Sequence, residues 1–438
     1  MNHITKIANQ VAEEVIKRIE AEDVEVTMTE LERTVRQVMQ EAGRQALGKL
    51  IAAQEGKYVE REVSCKCGAQ ATYKRRRKGR FHTILGDVTT RRAYYLCAVC
   101  HQGFYQLDKR LGLRPNAFSA ELERLVAMTG VQLPFQKGSN LFEALTLVSV
   151  SDQGMGRAGR RIGKRVAQRE ANLQTNATDS NYLQQLKRTA KPPLRLYGAI
   201  DAAKVNIRGE KGEGGWRDLK IGAWFEAVGK PPQTADGQWR IEAQNIEYYA
   251  DICPAAEFSP LVWATAVARN AHLAHQLVIL GDGAEWIWNI VKDNFPNAIQ
   301  ILDWFHASEH LAPVAQAAFS DEAERSQWIE KMRQLMWDGK VDELIATCRT
   351  LAQEHSNPDI ERTANYFDSH RLRMRYDHFR KQGLQIGSGT IESAAKQIGL
   401  MRMKVPGARW NESNAIHIAK ARASFLSHSG WDSLPFAA

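Results

Sequence analysis

The chain has 438 residues, of which 44% are hydrophobic and 25% are charged, a composition typical of a globular protein with about two to four domains. No run of about 18 apolar residues occurs, so the sequence predicts no membrane-spanning helix. The first residues, MNHITKIANQ, lack the charged and apolar regions of a secretory signal. Six cysteines do not suggest a disulfide scaffold in a chain of this length, so a reducing cytoplasm is the expected location.

The formal net charge is +9 and it is unevenly placed. Residues 61–110 hold 12 Lys and Arg against 3 Asp and Glu, so this segment carries a surplus equal to that of the whole chain. A basic surplus in one segment favours a polyanionic partner, and nucleic acid is the usual one. A solvated basic surface explains the charge alone equally well.

Residues 1–60 are predicted to form an N-terminal helical region. Apolar residues recur there at three- and four-residue steps, for example at Leu31, Val35 and Val38. A stripe of this kind usually packs on its own protein, and a seam between two copies of the chain is the alternative.

Residues 61–112 contain two close pairs of cysteines. These are Cys65 with Cys67 and Cys97 with Cys100. Two such pairs beside small or turn-forming residues suit two knuckles that close a tetrahedral thiolate site. The segments between them alternate like strands, so a zinc ribbon with a structural Zn²⁺ is predicted. Four unrelated buried thiols are the alternative, and His82 and His101 are substitute ligands.

Within the same segment, the stretch KRRRKGR places six cations in seven positions. A merely exposed loop does not need that density of charge, so we expect these side chains to contact DNA phosphates without reading the sequence. They are Lys74, Arg75, Arg76, Arg77, Lys78 and Arg80.

Residues 113–172 are predicted to form a helix-turn-helix DNA-binding region. Ser119 can cap a first helix, a second runs through NLFEALTLVS, and Ser151 or Asp152 can begin a third. The third helix would lie in the major groove, although its glycines weaken it. Its basic residues are Arg157, Arg160, Arg161, Lys164 and Arg165.

The rest of the chain alternates between strands and helices. Residues 173–193 are polar, end in Pro-Pro and predict a linker. Residues 194–305 predict three strands, then helix, strand, helix and strand, which together make a mixed five-stranded sheet covered by helices. Residues 306–386 predict further helices, and residues 387–438 predict a returning helix after a Gly-Ser-Gly turn. The expected fold class is multidomain α+β.

Four acids draw attention because of where they fall. Asp201, Asp282 and Asp303 interrupt or end apolar strands, and Glu392 lies in the first turn of the returning helix. Taken singly, each has a structural explanation as a cap, a turn residue or a first-turn acid, and Asp282 could form a capping box with Glu285. Strands of one sheet can nevertheless deliver distant acids to a single edge.

Asp201, Asp282 and Glu392 together match the carboxylate triad of the RNase H-like fold. From the cysteine module ending RAYYLCAVCHQGFYQLDKRLGL to the stretch GSGTIESAAKQIGLMRMKVPGARW, the chain resembles bacterial insertion-sequence transposases of the DDE superfamily. It resembles the ISKra branch and is distantly similar to Mutator-like relatives. The resemblance implies that the triad is catalytic and that its hard oxygens bind two Mg²⁺ (or Mn²⁺) ions. It also implies that residues 306–386 are a helical insertion into the catalytic fold.

The same resemblance implies further roles. The stretch DWFH, with Asp303 and His306, is similar to a signature of Mutator-like relatives, which implies a supporting role such as phosphate contact. Residues after Glu392 would face DNA backbone or a flipped base, although a packed Trp410 is the alternative. They are Lys396, Arg402, Lys404, Arg409 and Trp410.

The partners implied are the terminal inverted repeats of the element and a target DNA, bound by a homodimer or higher oligomer. The location implied is the bacterial cytoplasm, in association with the nucleoid and without a membrane.

Three functions fit these features in decreasing order. The first is a transposase that cuts at the ends of its element and joins the exposed 3′-hydroxyls to target DNA. The second is a metal-dependent nuclease or resolvase on the same fold, which would not need a large insertion or several DNA-binding modules. The third is a zinc-containing DNA-binding regulator whose acids are structural. A two-carboxylate glycoside hydrolase would leave the basic zinc module unexplained.

Overall fold

The computed structural model describes residues 12–13, 16–17, 27–55, 59–209, 214–387, 389–431 and 434. The fold is α+β, about 55% helical, with one four-stranded and one five-stranded sheet. The chain divides into two compact units, the first ending at Gly159 and the second running from Arg160 to Leu434. Among the described helices, none is both long and apolar enough to cross a lipid bilayer.

The first unit opens with helix α1 (Met28–Gln54), which begins at a capping box between Thr27 and Glu30. Val38 and Ile51 are buried, whereas the neighbouring apolar residues Met39 and Leu50 are exposed. The apolar stripe is therefore only partly covered. Most of the helix predicted before Thr27 lies outside the described residues.

The cysteine-containing segment folds as an antiparallel sheet in the order β1-β2-β3-β4. Its strands are β1 (Glu62–Ser64), β2 (Gln70–Thr83), β3 (Gly86–Cys97) and β4 (Gly103–Tyr105). Strands β2 and β3 form one long hairpin that closes where Thr83 pairs with Gly86. The basic stretch KRRRKGR is therefore part of strand β2 and not a loop.

Four helices follow the sheet: α2 (Gln106–Leu111), α3 (Ala120–Gln132), α4 (Phe135–Thr146) and α5 (Asp152–Thr178). Ser119 caps α3 as predicted, because its side chain accepts a hydrogen bond from the backbone N–H of Leu122. The expectation of three short helices is wrong for the last one, since α5 has 27 residues. Its first residues belong to the first unit and those from Arg160 onward to the second.

The predicted linker over residues 173–193 is also wrong. Helix α5 continues to Thr178, and α6 (Ser180–Thr189) follows after Asp179, whose carboxylate caps it. Residues 173–193 are polar in composition, but their helices have an apolar face. Leu173 and Leu186 on that face pack against a buried cluster of Ala177, Ala264 and Val267.

The second unit is built on the predicted mixed five-stranded sheet, with the order β7-β6-β5-β8-β9. Strands β7, β6 and β5 are antiparallel, whereas β5, β8 and β9 are parallel. The strands are β5 (Arg195–Ile207), β6 (Gly215–Lys230), β7 (Arg240–Asp251), β8 (Gln276–Gly281) and β9 (Ile299–Leu302). Helices α7 (Ala255–Ala268) and α8 (Glu285–Asn294) provide the connections that parallel strands require.

After β9 the chain is helical, as predicted, before it returns to the sheet. The helices are α9 (Trp304–Glu309), α10 (Leu311–Ala318), α11 (Glu322–Trp337), α12 (Val341–Glu354), α13 (Pro358–His370) and α14 (Tyr376–Lys381). The returning segment is α15 (Gly389–Ala394), continued by a π-helix (Ala395–Met403) and followed by α16 (Glu412–Leu426). A Cβ atom on Gly399 would lie 2.6 Å from the Cβ of Ala203, so this glycine lets the π-helix pack closely on β5.

A buried charge network joins three distant parts of the second unit. Lys420 on α16 places its Nζ 2.5 Å from Oε2 of Glu170 and 2.7 Å from Oδ2 of Asp251. The Lys420 side chain is 5% exposed, so its two partners satisfy a charge that water cannot reach. A buried charge is tolerated when it is paired, and removing one partner is costly.

Replacing Lys420 by methionine is therefore expected to lower the free energy of unfolding by about 3–5 kcal/mol, because the buried Glu170 and the half-buried Asp251 would lose their shared cation. Urea unfolding followed by circular dichroism measures the change. The matched control is Lys381→Met, which breaks an exposed pair with Asp377 and should cost less than about 1 kcal/mol. Equal losses in the two variants would contradict the assigned role of the network.

Candidate metal centres

The four predicted cysteine ligands come together in the first unit. Sγ of Cys65 lies 3.5 Å from Sγ of Cys100, and Sγ of Cys67 lies 3.6 Å from Sγ of Cys97. All four sulfur atoms lie within 4.8 Å of one another, so the cluster could bind a structural metal such as zinc. Neither histidine considered as a substitute ligand belongs to this cluster, and His82 instead contacts Asp87 through Nδ1 at 2.5 Å.

Two tight turns hold the sulfur atoms in place. In the first, the backbone N–H of Gly68 donates to the carbonyl of Cys65, and Gly68 has a φ of 86°. In the second, the N–H of Cys97 donates to the carbonyl of Gln102. Hydrogen bonding from the backbone N–H of Cys100 lowers the pKa of the Cys97 thiol to about 6, against the effect of burial. The pKa of the Cys100 thiol moves the other way, because against the hydrogen bond from the backbone N–H of Gln102 the neighbouring thiols and burial raise it. The cluster thus favours a thiolate at Cys97, and the thiolate is the form that binds a metal.

A second cluster of candidate ligands lies at one edge of the five-stranded sheet. In the parallel register, Ile200 of β5 pairs with Gly281 of β8, and Gly281 pairs with Leu302 of β9. The residues that follow these three are Asp201, Asp282 and Asp303. The acids therefore stand in a row on neighbouring strands, which lie roughly 4.8 Å apart in a sheet.

Each aspartate in this row is oriented by a backbone N–H group. Oδ1 of Asp201 accepts from Ala202 at 2.6 Å, and Oδ1 of Asp282 accepts from Ala284 at 2.9 Å. The capping-box alternative for Asp282 is not what the structure has, since α8 begins after Ala284 without a side-chain cap. Asp303 does act as a cap, because its Oδ1 accepts from the N–H of His306 at 2.7 Å.

Glu392 approaches the same place from helix α15. It lies in the first turn of that helix, as predicted, and its side chain is 54% exposed. Its Oε1 lies 2.6 Å from Nζ of Lys396, one turn further along. A stabilising role at the helix end and a place in the acidic cluster are thus both compatible with its position.

All four acids line one cleft of about 250 Å³. The remaining lining residues are Ile200, Phe305, His306, Glu309 and Ile391. Phe305 and Glu309 were not singled out from the sequence. Both follow Asp303 on the short helix α9, so the signal that could have identified them is their spacing from that aspartate.

The electrostatics of the cleft appear most clearly at Asp201. The pKa of Asp201 is raised to about 6, chiefly by burial and also by the negative charges of Asp282 and Asp303, against the hydrogen bond from Ala202 and the attraction of His306. No Lys or Arg is among the described residues that line the cleft. The three aspartates are therefore not neutralised by a described Lys or Arg that lines the cleft, whereas Glu392 is paired with Lys396 at 2.6 Å.

The oxygen donors suit Mg²⁺ or Mn²⁺ by their chemistry, because these ions prefer carboxylate ligands. Their present spacing is looser than that of the thiols. Among the described residues, only the four cysteines place three or more ligand atoms within 4.8 Å of one another. Glu392 would have to leave Lys396 before its carboxylate joined the aspartates around an ion.

Helix α13 braces the loop that carries Asp282. The hydroxyl of Tyr366 donates to the carbonyl of Asp282 at 3.0 Å, and a Cβ atom on Gly283 would lie 2.4 Å from that hydroxyl. His310 stacks on the Tyr366 ring with 4.1 Å between ring centres. Burial first, and then the positive charge of His306, lower the pKa of His310, which favours the neutral ring in this stack.

The residues predicted to contact DNA are divided in their exposure. In the first unit, Lys74, Arg75, Arg76, Lys78 and Arg80 are exposed on strand β2, and Arg77 is half-buried over the ring of Tyr94. On α5, Arg157 and Lys164 are exposed, whereas Arg160, Arg161 and Arg165 are half-buried. In the returning segment, Lys396, Lys404 and Arg409 are exposed.

Two residues of the returning segment do not fit the predicted role. Arg402 is 1% exposed, and its guanidinium lies 5.1 Å from the ring centre of Trp410. Trp410 is buried as well, and its indole N–H donates to the carbonyl of Met403 at 2.8 Å. Neither side chain is presented to DNA, so the packed alternative for Trp410 is the one that the structure has.

Comparison with known proteins does not assign a family. The sequence matches no family model and no curated protein.

The thiolate cluster predicts the metal content of the purified protein. We expect about one Zn²⁺ per chain, and we expect Cys97→Ser to lose the metal because one of four ligands is removed. Atomic absorption on protein purified with added zinc measures the content. The matched control is Cys348→Ser, a buried cysteine outside the cluster, which should retain the metal. A wild-type protein without zinc, or a Cys97 variant with a full complement, would contradict the assignment.

The raised pKa of Asp201 predicts a pH-dependent stability when divalent ions are removed with EDTA. The folded pKa of about 6 lies above an unfolded value of about 3.9, so the folded chain binds more protons between them and loses stability as pH rises through that window. Asp201→Asn removes this cost and should raise the free energy of unfolding at pH 7.5 by up to about 3 kcal/mol, at 1.36 kcal/mol per pKa unit.

The same gain should shrink as pH falls through this window and vanish below about pH 3, where Asp201 is protonated in both states. Thermal unfolding in EDTA over this pH range measures it, with the exposed Asp293→Asn as control. A destabilised Asp201→Asn variant at pH 7.5 would contradict the assigned repulsion.

Proposed function

We propose that the chain is a DNA transposase of the DDE type, in which Asp201, Asp282 and Glu392 carry out strand cleavage and strand transfer. The observation that carries the proposal is the convergence of these acids, from two parallel strands and a helix far along the chain, on one cleft. The five-stranded mixed sheet supports the RNase H-like fold that the sequence resemblance implies. The helices between β9 and α15 would be the insertion into that fold.

Asp201, Asp282 and Glu392 would hold the metal ions, with Asp303 and His306 beside them. When bound, Mg²⁺ ions activate the attacking water or 3′-hydroxyl and stabilise the departing oxygen at phosphorus. The chain's own contribution is orientation, because the aspartates are fixed by backbone N–H groups and the Asp282 loop is held by Tyr366. Such fixed geometry is what an in-line displacement needs.

Lys396 would serve Glu392 in two ways. In the structure its ammonium group lies 2.6 Å from Oε1 of Glu392 and neutralises that carboxylate, so Glu392 adds little negative charge to the cleft. When the carboxylate turns to a metal ion, Nζ of Lys396 is released at the rim of the cleft. An exposed ammonium group there can contact a DNA phosphate.

The first unit would provide DNA affinity without sequence reading. Its exposed cations on β2 project from a hairpin whose base is closed by the thiolate cluster. A metal in that cluster would fix the hairpin and hence the spacing of Lys74, Arg75, Arg76 and Lys78. Clustered Lys and Arg of this kind bind phosphates through charge.

The test is strand cleavage and joining on a plasmid that carries the DNA flanking the gene, with Mg²⁺ or Mn²⁺. Asp201→Asn, Asp282→Asn and Glu392→Gln should each reduce joining at least about 100-fold, the upper end of what is lost when a residue that only supports a ligand is changed. Asp303→Asn should lose about 10- to 100-fold as a supporting residue. The exposed Asp293→Asn is the control and should join like the wild type.

Other outcomes would replace the proposal. Metal-dependent cleavage without joining would indicate a nuclease or resolvase on the same fold. DNA binding without cleavage, unchanged by Asp282→Asn, would indicate a zinc-containing regulator. Joining that survives in all three triad variants would show that the acids are structural.

A further inference from the structure

Trp216 is the exposed exception among the tryptophans of the chain. It is 53% exposed, whereas the other ten, all within the described ranges, are buried or half-buried. It lies at the start of strand β6, where it pairs with Asn206 of β5. An indole ring held on a strand and open to solvent offers a flat apolar surface of a kind that soluble proteins usually cover.

The strand paired with Trp216, β5, also makes backbone contacts with the segment that follows Glu392. Beyond Asn206, the backbone of Ile207 pairs with Trp410, and the N–H of Arg208 donates to the carbonyl of Trp410 at 2.7 Å. The N–H of Trp410 in turn donates to the carbonyl of Asn206 at 3.0 Å. The segment that follows the Glu392 helix is thus hydrogen-bonded to the end of β5 beside Trp216, through the backbone of the buried Trp410.

These contacts surround the exposed ring with cations. Nζ of Lys404 lies 5.3 Å from the centre of the Trp216 ring, and Arg208 and Arg409 line the groove beside it. No carboxylate is among the described residues that line that groove. The nearby Asp218 on β6 is paired with Lys204 at 2.6 Å, so its charge is already balanced.

We propose that Trp216 is a stacking platform for an unpaired DNA base, with Arg208, Lys404 and Arg409 holding the flanking phosphates. An aromatic face inside a positive groove is the arrangement that binds single-stranded nucleic acid without sequence preference, because every base has a π-face. The cations among the described residues of the groove suit a polyanion, and the ring suits a base that has left its stack.

The platform lies apart from the acidic cleft. Asp201 and Asn206 lie on the same strand, five residues apart, which is roughly 17 Å at about 3.3 Å per residue. Because side chains alternate between the two faces of a strand, Asp201 and Trp216, which is paired with Asn206, lie on opposite faces of the sheet. The platform would therefore bind a part of the DNA beyond the cleft, where opened strands would bind better than closed duplex. The inference rests on the proposed function for its ligand, which is DNA.

The test measures binding alone, with no Mg²⁺ or Mn²⁺ added, so that it does not depend on cleavage. The probe is a fluorescein-labelled oligothymidylate of about 20 nucleotides, titrated with full-length protein over a series of salt concentrations. Trp216→Ala should weaken binding about 5- to 150-fold, the loss typical of one base-aromatic stack, without changing the slope of affinity against salt. Arg409→Gln should weaken binding and also make the slope less steep, by about 0.7 for one phosphate contact.

Two further variants sharpen the result. Trp216→Phe should fall between wild type and Trp216→Ala, because a smaller ring still stacks. Leu372→Ala, which removes another exposed apolar side chain, should bind like the wild type. Quenching of tryptophan emission by the oligonucleotide should fall clearly in Trp216→Phe, which checks contact with the ring in a protein that keeps its shape.

Wild-type affinity in Trp216→Ala, or an equal loss of affinity for a fully paired hairpin duplex, would overturn the platform. So would quenching that is unchanged in Trp216→Phe. These results are separable from the proposed function, since the platform can fail while plasmid joining is intact. The platform can also be confirmed if plasmid joining fails. The chain would then be a protein that binds single-stranded DNA and carries out a reaction other than strand transfer.

Discussion

The acidic cleft depends on the parallel register of β5, β8 and β9. Because Ile200, Gly281 and Leu302 are aligned across the three strands, the residues after them stand side by side. A slip of one residue in either pairing would turn one aspartate to the opposite face of the sheet. The apolar residues of these strands, such as Ile279, Leu280 and Ile301, are fully buried, and their burial fixes the register.

That alignment imposes an electrostatic cost. Carboxylates on adjacent strands repel one another, and burial weakens the ability of water to screen them. Hydrogen bonds from Ala202, Ala284 and His306 orient the oxygens but do not cancel the charge. The chain tolerates this cost. A compensating positive charge lies at the rim of the cleft, where Nζ of Lys396 is 2.6 Å from Oε1 of Glu392. Clusters of like charge at a sheet edge are typical of sites that are organised for a ligand of opposite charge.

The sequence predicted much of the framework because its signals were local and periodic. The succession of apolar strands and helices along the second half predicted a mixed five-stranded sheet, and the spacing of the cysteine pairs predicted the four thiols of the cluster. Asp201 and Asp282 could be selected since each interrupts an apolar strand where a charge is otherwise costly. Their roles in catalysis, and that of Glu392, stay predictions.

Other features could not be predicted because they depend on contacts between distant residues. Arg402 and Trp410 follow a conspicuous motif and look available to a ligand, yet tertiary packing buries both. Residues 173–193 look like a linker by composition, and only the partners Ala264 and Val267 show that their apolar face is used. The exposure of Trp216 could not be predicted from the sequence, because exposure is a property of the fold and not of the residue type.

The long helix α5 sets where the protein can be divided. A cut at residue 173, where composition suggests a boundary, would fall inside the helix and remove Glu170 from the fragment that retains Lys420 and Asp251. Such a fragment would keep all the acids of the cleft and still lack half of the network that ties the last helix to the sheet. The modular appearance of the sequence is thus misleading at this point, and domain exchange among relatives would have to carry the helix whole.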